Sequence, residues 1–530
     1  MKKMKKFFAM FLTLAMVLGM SVTTFAASAG TDGKVGTNDD KGTITVSGIA
    51  GNTGTTPVSV TAYQIIKATY GNEGKTFTGY EVVDKYKTAL SAVNTEADVN
   101  LSIEQVNAVV AAGFADVTPY VMSNTDVAPT VYTAEVPVGT YIVMIENADT
   151  VIYSPVIVSV AYKAENGGNA FDEGSVNVID DGNAWVKESS QPTVDKKAKA
   201  NATAADEVHS VNIGDTVYYD VEINPVPYYN GASPVLNIVD TLSRGLTLNV
   251  DSVAVTTAAG NALVKGTDYT VVYDETTQKL TVDFVVNGSY MLNDLQGSKV
   301  TVSYNAVVND SAVINENANN NDVTLNFTRD SNTTGNDGTG NDKTYTYTFD
   351  VGGAVQGSVT EGMLTKTGEL NTTTNSTALP GAVFNLYTDL ECTTRYQQGG
   401  VDYADVVSGA DGSLAIKGLK EGVYYLKETT APTGYSLNEH AFKIEIDADY
   451  DNDGKLTNWT VKIDDKEGAF QVNNGTVTPT KELEVEIPNT KLTTLPSTGG
   501  IGTTVFTIGG CAIMIIAAGL YFSLRRKTAK

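Results

Sequence analysis

Short runs in which apolar and polar residues alternate recur along most of the chain, and turns rich in Gly and Asn separate them. The runs from Thr43 to Val46 and from Val485 to Ile487 are examples. A period of two places alternate side chains on one face of a β-strand, and the abundant Thr, Val and Tyr favour strands. We therefore predict an all-β protein, with one short helix near residues 102–112 in its exported part.

Three features follow one another at the C-terminus. An apolar stretch over residues 501–524 is long enough to span a bilayer, and the basic residues 525–527 behind it favour the cytoplasmic side. The motif before this stretch consists of Leu495, Pro496, Ser497, Thr498 and Gly499. This order resembles the cell-wall sorting signal of Gram-positive surface proteins. The resemblance implies that a sortase cleaves after Thr498 and passes its carboxyl group to an amine; an ordinary tail-anchored membrane protein is the alternative.

The N-terminus has the build of a secretory signal peptide. Four lysines within the first six residues precede an apolar run over residues 7–20, and small residues follow at 26–29. We predict that residues 1–27 are removed on export. Both ends together predict a secreted precursor that is held briefly at the membrane and then anchored to the cell wall.

The composition excludes several classes of function. The net charge of -25 argues against nucleic-acid binding, which needs clustered Lys and Arg. With two His, no nucleophile elbow and no metal-ligand spacing, a hydrolase is poorly supported, and we predict neither enzyme activity nor a cofactor nor a metal. One of the two cysteines, Cys511, lies in the apolar stretch, so no disulfide joins it to Cys392 in the exported part.

Residues 449–454 match the start of a calcium-binding loop. Thr460, however, stands where such a loop needs a bidentate Glu. We therefore predict a solvated β-hairpin turn at this place.

About 465 residues remain between the two processed ends, which is too many for one core and predicts about three domains. The polar tract over residues 330–342 is predicted to be a loop or hairpin tip. The predicted parts are a signal peptide (1–27), an N-terminal domain (28–186), a middle domain (187–357), a third domain (358–492) and a sorting signal (493–530).

Polar residues share faces with apolar ones in three strands of the third domain. Lys366 lies on the face of Leu364, Glu428 on that of Tyr424 and Leu426, and Asn489 on that of Val485 and Ile487. Burying these groups is costly unless they satisfy one another. We therefore predict that Lys366, Glu428 and Asn489 meet in one core.

The middle domain repeats this arrangement of a Lys, an acid and an Asn. Lys196 is in register with Val194, Asp240 with Leu236 and Ile238, and Asn321 with Val323 and Leu325. The neighbouring Asn319 and Asn320 leave the choice of Asn open. In the N-terminal domain Glu146 shares an apolar face, but the first strand offers no inward Lys.

A buried Lys can become a neutral nucleophile, and burial also keeps a carboxylic acid protonated. Such an acid can polarise the side-chain amide of an Asn and move protons while the amine attacks. Ammonia then leaves and an isopeptide bond remains. Plain buried salt bridges or misassigned strand faces are the alternatives for either triad.

Longer motifs resemble those of Gram-positive sortase-assembled backbone pilins. Residues 379–387, 425–435 and 487–491 look like the successive motifs of a Cna-B-type domain, and residues 192–197, 212–216 and 239–247 resemble the middle, isopeptide-forming domain of the same proteins. The resemblance implies tandem Ig-like β-sandwiches. It also implies a Lys366–Asn489 bond with Glu428 catalytic and a Lys196–Asn321 bond with Asp240 catalytic; we predict no bond in the N-terminal domain.

Many pilins of this type carry a Tyr-Pro-Lys-Asn motif whose lysine accepts the sortase acyl group, and this chain lacks it. Lys187 stands at the same position between the first two domains. We predict it to be the acceptor, with Lys163, Lys197 and Lys199 as competitors.

The predicted function is that of a structural pilus subunit, polymerised through Thr498. The resemblance implies a class C (pilus) sortase, the housekeeping sortase, peptidoglycan, further copies of the chain and minor pilins as partners. A host ligand is left open. A monomeric wall-anchored adhesin or a minor pilin is the alternative function.

Overall fold

The structure, a computed structural model, describes most of the chain from residue 36 to residue 527. The described residues are 36–51, 57–71, 73, 76–93, 95, 99, 101–164, 177–229, 233–329, 338–353, 359–368, 377–473, 475–492 and 501–527. They fall into two compact units: the first takes in those up to 209, 215–313 and 319–346, and the second takes in 210–214, 314–318 and those from 347 onward. The predicted signal peptide and the LPxTG motif lie outside the described residues.

The N-terminal segment, residues 36–190 of the first unit, consists of mainly antiparallel sheets with one parallel pair of strands. Its strands are β1 (Lys41–Ser47), β2 (Ser59–Gly71), β3 (Thr76–Val82), β4 (Pro119–Val121), β5 (Ser123–Thr125), β6 (Ala128–Pro137), β7 (Gly139–Glu146), β8 (Val151–Tyr153), β9 (Val156–Ala164), β10 (Asn177–Asp180), β11 (Gly182–Trp185) and β12 (Glu188–Ser190). One sheet has the order β11-β1-β6-β5 and the other β10-β9-β7-β2-β3, with β4 on β2. Strands β1 and β11 run parallel.

One helix of the N-terminal segment packs on the second sheet. Helix α1 (Ile103–Ala112) begins at a capping box. The backbone N–H of Gln105 donates to Ser102 Oγ, and the backbone N–H of Ser102 donates to the side-chain Oε1 of Gln105. Val106 and Val109 face a buried cluster on strands β2 and β7. The helix predicted near residues 102–112 is confirmed.

The middle segment, residues 193–346 of the first unit, is a sandwich of two antiparallel sheets. Its strands are β13 (Thr193–Lys199), β14 (Thr216–Asn224), β15 (Leu236–Leu242), β16 (Leu246–Thr257), β17 (Thr270–Asp274), β18 (Lys279–Asp283), β19 (Val285–Val286), β20 (Ser289–Tyr290), β21 (Val300–Val308), β22 (Asn319–Phe327) and β23 (Gly338–Thr346). The sheet orders are β13-β14-β21-β16 and β17-β18-β15-β22-β23. Every second residue of β15 and β22 is buried, as the sequence alternation predicts.

The C-terminal segment, residues 347–492 of the second unit, is also all-β. Its strands are β24 (Phe349–Gly352), β25 (Leu364–Gly368), β26 (Thr377–Ala378), β27 (Val383–Tyr387), β28 (Gln397–Gln398), β29 (Val401–Asp402), β30 (Val406–Val407), β31 (Ala415–Leu419), β32 (Gly422–Thr430), β33 (Ala441–Tyr450), β34 (Leu456–Ile463), β35 (Lys466–Asn473), β36 (Thr476–Lys481) and β37 (Val485–Asn489). The largest sheet has the order β30-β27-β32-β33-β34-β35-β36, and a smaller one has the order β26-β25-β37.

Strand pairing shows to which segment the residues near the segment ends are joined. Strand β12 pairs with β8, so residues at the start of the predicted middle domain (187–357) form a short strand joined to the N-terminal segment. The prediction of a loop over residues 330–342 is wrong for its last part, because Gly338–Asp342 pair with β22. Residues 330–337 lie outside the described residues.

A second helix, α2 (Ile501–Lys527), lies at the C-terminus. Residues Val505–Arg526 within it form a stretch of 22 residues that is mainly apolar, is uncharged apart from its two terminal arginines and is not buried against the protein. Its length and composition suit a membrane span, as the sequence predicts.

Candidate functional site

The first candidate site lies where two parallel strands of the C-terminal segment meet. Strand β25 pairs with β37, with Lys366 opposite Ile487 and Gly368 opposite Asn489. Lys366 therefore lies diagonally beside Asn489, and both side chains face the core because they alternate with outward residues. Glu428 reaches the same place from β32 in the other sheet. The structure thus brings together the three residues that the sequence predicts.

The contacts among these three side chains are short. Lys366 Nζ donates to Asn489 Oδ1 at 2.7 Å and to the Ile487 carbonyl at 2.7 Å. Asn489 Nδ2 donates to Glu428 Oε1 and Oε2 at 2.9 and 3.0 Å, and Lys366 Nζ lies 3.8 Å from Glu428 Oε1. Lys366, Glu428 and Asn489 are 0 %, 1 % and 2 % exposed. An amine, an amide and a carboxyl group therefore share one closed site.

The burial of Lys366 changes its chemistry. Loss of solvation lowers the pKa of the Lys366 amine to about 8, although the nearby Glu428 opposes the shift. A substantial fraction of the amine is thus neutral near physiological pH and can act as a nucleophile. The backbone amide of Asn438 donates to Glu428 Oε2 at 2.7 Å and so fixes the carboxyl group against Asn489.

The second candidate site lies inside the sandwich of the middle segment. Lys196 on β13 and Asp240 on β15 come from opposite sheets, and Lys196 Nζ donates to Asp240 Oδ1 at 2.5 Å. The side chains of both are fully buried. Loss of solvation lowers the pKa of the Lys196 amine, and the interaction with Asp240 acts in the opposite direction. The predicted Lys–acid pair is therefore present here.

Asn321 belongs to this site through an intermediate residue. Its Nδ2 donates to the hydroxyl group of Tyr304 at 2.8 Å, and that hydroxyl donates to Asp240 Oδ2. Among the described contacts, Asn321 has no direct hydrogen bond to Lys196, and its buried Oδ1 has no partner. The Tyr304 hydroxyl group thus links the amide of Asn321 to Asp240, which also accepts from Lys196.

The neighbouring asparagines have other surroundings. Asn319 is buried but caps a turn, because its Oδ1 accepts from the Val313 amide at 3.0 Å and its Nδ2 donates to the Val313 carbonyl at 3.0 Å. Asn320 lies on the opposite face of β22. Asn321 alone of the three makes a side-chain contact to the group around Asp240.

Sequence reasoning did not identify Tyr304. It occupies an inward position on β21 between Val302 and Ala306, where alternation predicts an ordinary core residue. Its ring stacks on that of Tyr219, with centroids 5.2 Å apart. The one signal for it in the sequence is a hydroxyl group at an inward position of a strand whose other inward side chains are aliphatic.

Lys187 has an exposed side chain just before β12. Its Nζ lies over the Tyr228 ring, 4.0 Å from the centroid, and partial burial lowers the pKa of the amine. Among the described residues, no carboxylate lies within ion-pair distance of Lys187. Its neighbour Trp185 is 76 % exposed.

The three competing lysines are each paired with an acid. Lys163 pairs with Asp180, Lys199 is buried against Asp220 at 2.5 Å, and Lys197 lies 3.9 Å from Asp195.

Among the described residues, the other positions that the sequence singles out do not form a site of this kind. Glu146 is half-buried, and no described lysine of the N-terminal segment is buried. Residues 451–455 form the predicted turn, in which Asp451 Oδ1 accepts from the backbone amides of Asp453 and Lys455. Within the described residues, no group of three or more His, Cys, Asp or Glu side chains could hold a metal ion.

Three family models match the chain in the order of the segments. Residues 213–331 match a Gram-positive pilin backbone subunit 2, Cna-B-like domain. Residues 365–460 match a prealbumin-like fold domain. Residues 487–530 match the LPXTG cell wall anchor motif.

Comparison with whole proteins agrees with these matches. The trypsin-resistant surface T6 protein of Streptococcus pyogenes serotype M6 is 24 % identical over 97 % of this chain and 99 % of its own. The solved T6 backbone pilin of the same serotype is 18 % identical, with a TM-score of 0.53 over 86 % of this chain and 100 % of its own. The full-length major pilin SpaD of Corynebacterium diphtheriae is 16 % identical, with a TM-score of 0.44 over 86 % and 98 %.

Domain order, anchor motif and full-length similarity thus point to the same kind of protein. The chain is a structural subunit of a pilus and is anchored at the cell wall of a Gram-positive bacterium. In its domains, its anchor motif and its full-length similarity, it resembles the Gram-positive backbone pilins.

Proposed function

We propose that this pilin is the subunit of a covalent pilus, closed internally by two Lys–Asn isopeptide bonds and joined to the next copy through Thr498. The observation that best supports the internal bonds is the buried group of Lys366, Glu428 and Asn489, with Nζ 2.7 Å from Asn489 Oδ1. Polar groups so deeply buried are costly unless they serve one another. A covalent bond between the amine and the amide removes that cost.

In the C-terminal segment the neutral Lys366 amine attacks the side-chain carbonyl carbon of Asn489 and forms a carbon–nitrogen bond. Glu428 takes a proton from the attacking nitrogen and gives one to Asn489 Nδ2. The carbon–Nδ2 bond then breaks, ammonia leaves, and Glu428 ends in its starting protonation state. The two contacts from Nδ2 to Glu428 support its role as the proton donor to the leaving group.

In the middle segment the same exchange joins Lys196 to Asn321, with Asp240 as the acid. Full burial and the 2.5 Å hydrogen bond from Lys196 to Asp240 support this assignment. Asn321 is preferred to Asn319 because the side chain of Asn319 is occupied by both backbone groups of Val313. In both segments the reaction is a single intramolecular event, so the pilin turns over no substrate.

Intact-mass measurement of the purified full-length precursor tests the internal bonds. We expect the mass to be lower than the sequence mass by two molecules of ammonia. Glu428→Gln and Asp240→Asn should each restore one, because each removes the acid that its own segment needs. Glu445→Gln changes a surface glutamate paired with Lys443 and should leave the loss of two ammonia unchanged. A wild-type mass equal to the sequence mass would mean that both triads are ordinary polar contacts.

Polymerisation needs an acyl donor and an accessible amine. A class C (pilus) sortase would cleave after Thr498 and transfer its carboxyl group to Lys187 of the next copy, releasing the sortase thiol. The exposed side chain of Lys187, its lowered pKa and its lack of a carboxylate partner among the described residues support it as the acceptor. The housekeeping sortase would transfer the last Thr498 to peptidoglycan, and minor pilins would join the same polymer.

A denaturing gel of cell-wall extracts tests the polymer. A ladder of covalent multimers that Thr498→Ala removes would support the pilus shaft. One discrete band, with Thr498→Ala abolishing only wall attachment, would instead support a monomeric wall-anchored adhesin. A covalent polymer of other pilins that contains a single copy of this chain would indicate a minor pilin.

A further inference from the structure

Both carboxyl oxygens of Asp240 are engaged in the middle segment. Oδ1 accepts from Lys196 Nζ at 2.5 Å, and Oδ2 accepts from the Tyr304 hydroxyl group. The Tyr304 oxygen in turn accepts from Asn321 Nδ2 at 2.8 Å. A continuous chain of hydrogen bonds therefore runs from the amine through the acid and the phenol to the amide nitrogen.

The C-terminal segment performs the proposed reaction without such an intermediate. There, both oxygens of Glu428 contact Asn489 Nδ2 directly. Asp240 and Asn321 instead lie on the neighbouring strands β15 and β22 of one sheet, and no direct hydrogen bond joins their side chains among the described residues. Tyr304, from the facing sheet, places its hydroxyl group between them and hydrogen-bonds to both.

We propose that Tyr304 is a catalytic residue of the middle segment, which carries a proton from Asp240 to the departing amide nitrogen of Asn321. This inference rests on the proposed Lys196–Asn321 bond and adds a residue to its mechanism. Tyr304 is 2 % exposed, so no bulk water competes for the transfer. Burial and the neighbouring Asp240 raise the pKa of the Tyr304 hydroxyl, so the group passes a proton on without remaining ionised.

The step balances as follows in atoms and charge. Proton transfer within the Lys196–Asp240 hydrogen bond gives a neutral amine and a carboxylic acid. Nζ attacks the Asn321 carbonyl carbon, and the amide nitrogen gains a lone pair as that carbon becomes tetrahedral. Nδ2 takes the Tyr304 proton, Tyr304 takes the Asp240 proton, and Asp240 takes one from Nζ. Ammonia leaves, Tyr304 is again a phenol, and Asp240 is again the carboxylic acid that the first proton transfer formed.

Timed synthesis of the full-length chain, followed by protease digestion and mass mapping of the cross-linked peptides, tests this role. Tyr304→Phe removes only the hydroxyl group, and we expect it to slow formation of the 196–321 bond by roughly 10²- to 10⁴-fold, the usual effect of a general acid. The 366–489 bond should form at the wild-type rate in the same molecules. Tyr290→Phe, which removes another hydroxyl from the middle segment, should leave both rates unchanged.

A ring-fluorinated tyrosine at position 304 separates proton transfer from packing. The fluorinated residue keeps the hydroxyl group and nearly the same shape, but its hydroxyl group is more acidic. If Tyr304 relays a proton, the 196–321 bond should therefore form at a changed rate. An unchanged rate with this residue, or a wild-type rate with Tyr304→Phe, would overturn the role of Tyr304. Absence of the 196–321 peptide from the wild-type chain would instead refute the bond itself.

Discussion

Replacing Lys187 with Ala should abolish the ladder of covalent multimers on a denaturing gel of wall extracts, while monomer attached to the wall remains. The reason is that the variant would remove only the proposed acceptor amine and would leave the proposed Thr498 acyl donor and internal bonds in place. Because Lys187 Nζ lies on the Tyr228 ring at the protein surface, its loss leaves no buried charge unpaired, and folding should be unaffected. The intact mass should still show the loss of two ammonia.

Lys187→Arg is the matched control for charge. The guanidinium keeps the positive charge and the contact to the Tyr228 ring but does not act as an acyl acceptor, so the ladder should again be absent. Lys197→Ala and Lys163→Ala should leave the ladder intact, since those lysines are paired with Asp195 and Asp180. If the ladder persists in Lys187→Ala, the acceptor is another lysine, and tandem mass spectrometry of the branched Thr498 peptide would identify it.

Replacing Lys366 with Met should strongly destabilise the C-terminal segment. Met keeps an unbranched apolar chain in the core but cannot form the bond to Asn489. The proposed bond would close a loop of roughly 120 residues, and by analogy with a disulfide its loss should cost about 5 kcal/mol of unfolding free energy. The melting temperature of that segment should fall by roughly 10–20 °C, measured by calorimetry on the full-length chain.

Two further variants isolate the bond from the packing around it. Glu428→Gln keeps Lys366 and Asn489 but removes the acid, so it should lose the bond and show a similar fall in melting temperature. Lys462→Met removes a surface amine from β34 and should leave the transition unchanged. An unchanged melting temperature in Lys366→Met would show that no covalent bond stabilises this segment.

Alternation predicted the faces of the candidate residues because the period of a strand is fixed by backbone geometry. Lys366, Asp240 and Asn321 are all buried where this period places them. Alternation cannot predict how far a side chain reaches across a sandwich. Asp240 and Asn321 lie on the neighbouring strands β15 and β22, and Tyr304 reaches both from β21 in the facing sheet. The bridging position of Tyr304 therefore depends on how the two sheets pack, which no local pattern encodes.

Long-range pairing also explains the other differences. Strand β12 has three residues, and it forms because β8 offers a partner from a distant part of the sequence. Residues 338–342 are polar and rich in Gly and Asn, but β22 supplies their hydrogen-bond partners. The contact of Lys187 with Tyr228 joins residues 41 positions apart. In each case tertiary structure overrides a local preference.

The parallel pairing of β25 and β37 has a consequence for a pilus under tension. Strand β25 follows β24 near the start of the C-terminal segment, and β37 is its last strand, so a pull on both ends that reaches this pair drags the two strands past each other along their length. Their ladder of hydrogen bonds is then loaded in shear, all at once, rather than opened one bond at a time. A Lys366–Asn489 bond across this pair would carry the force directly, and the polypeptide between those two residues would bear none of it.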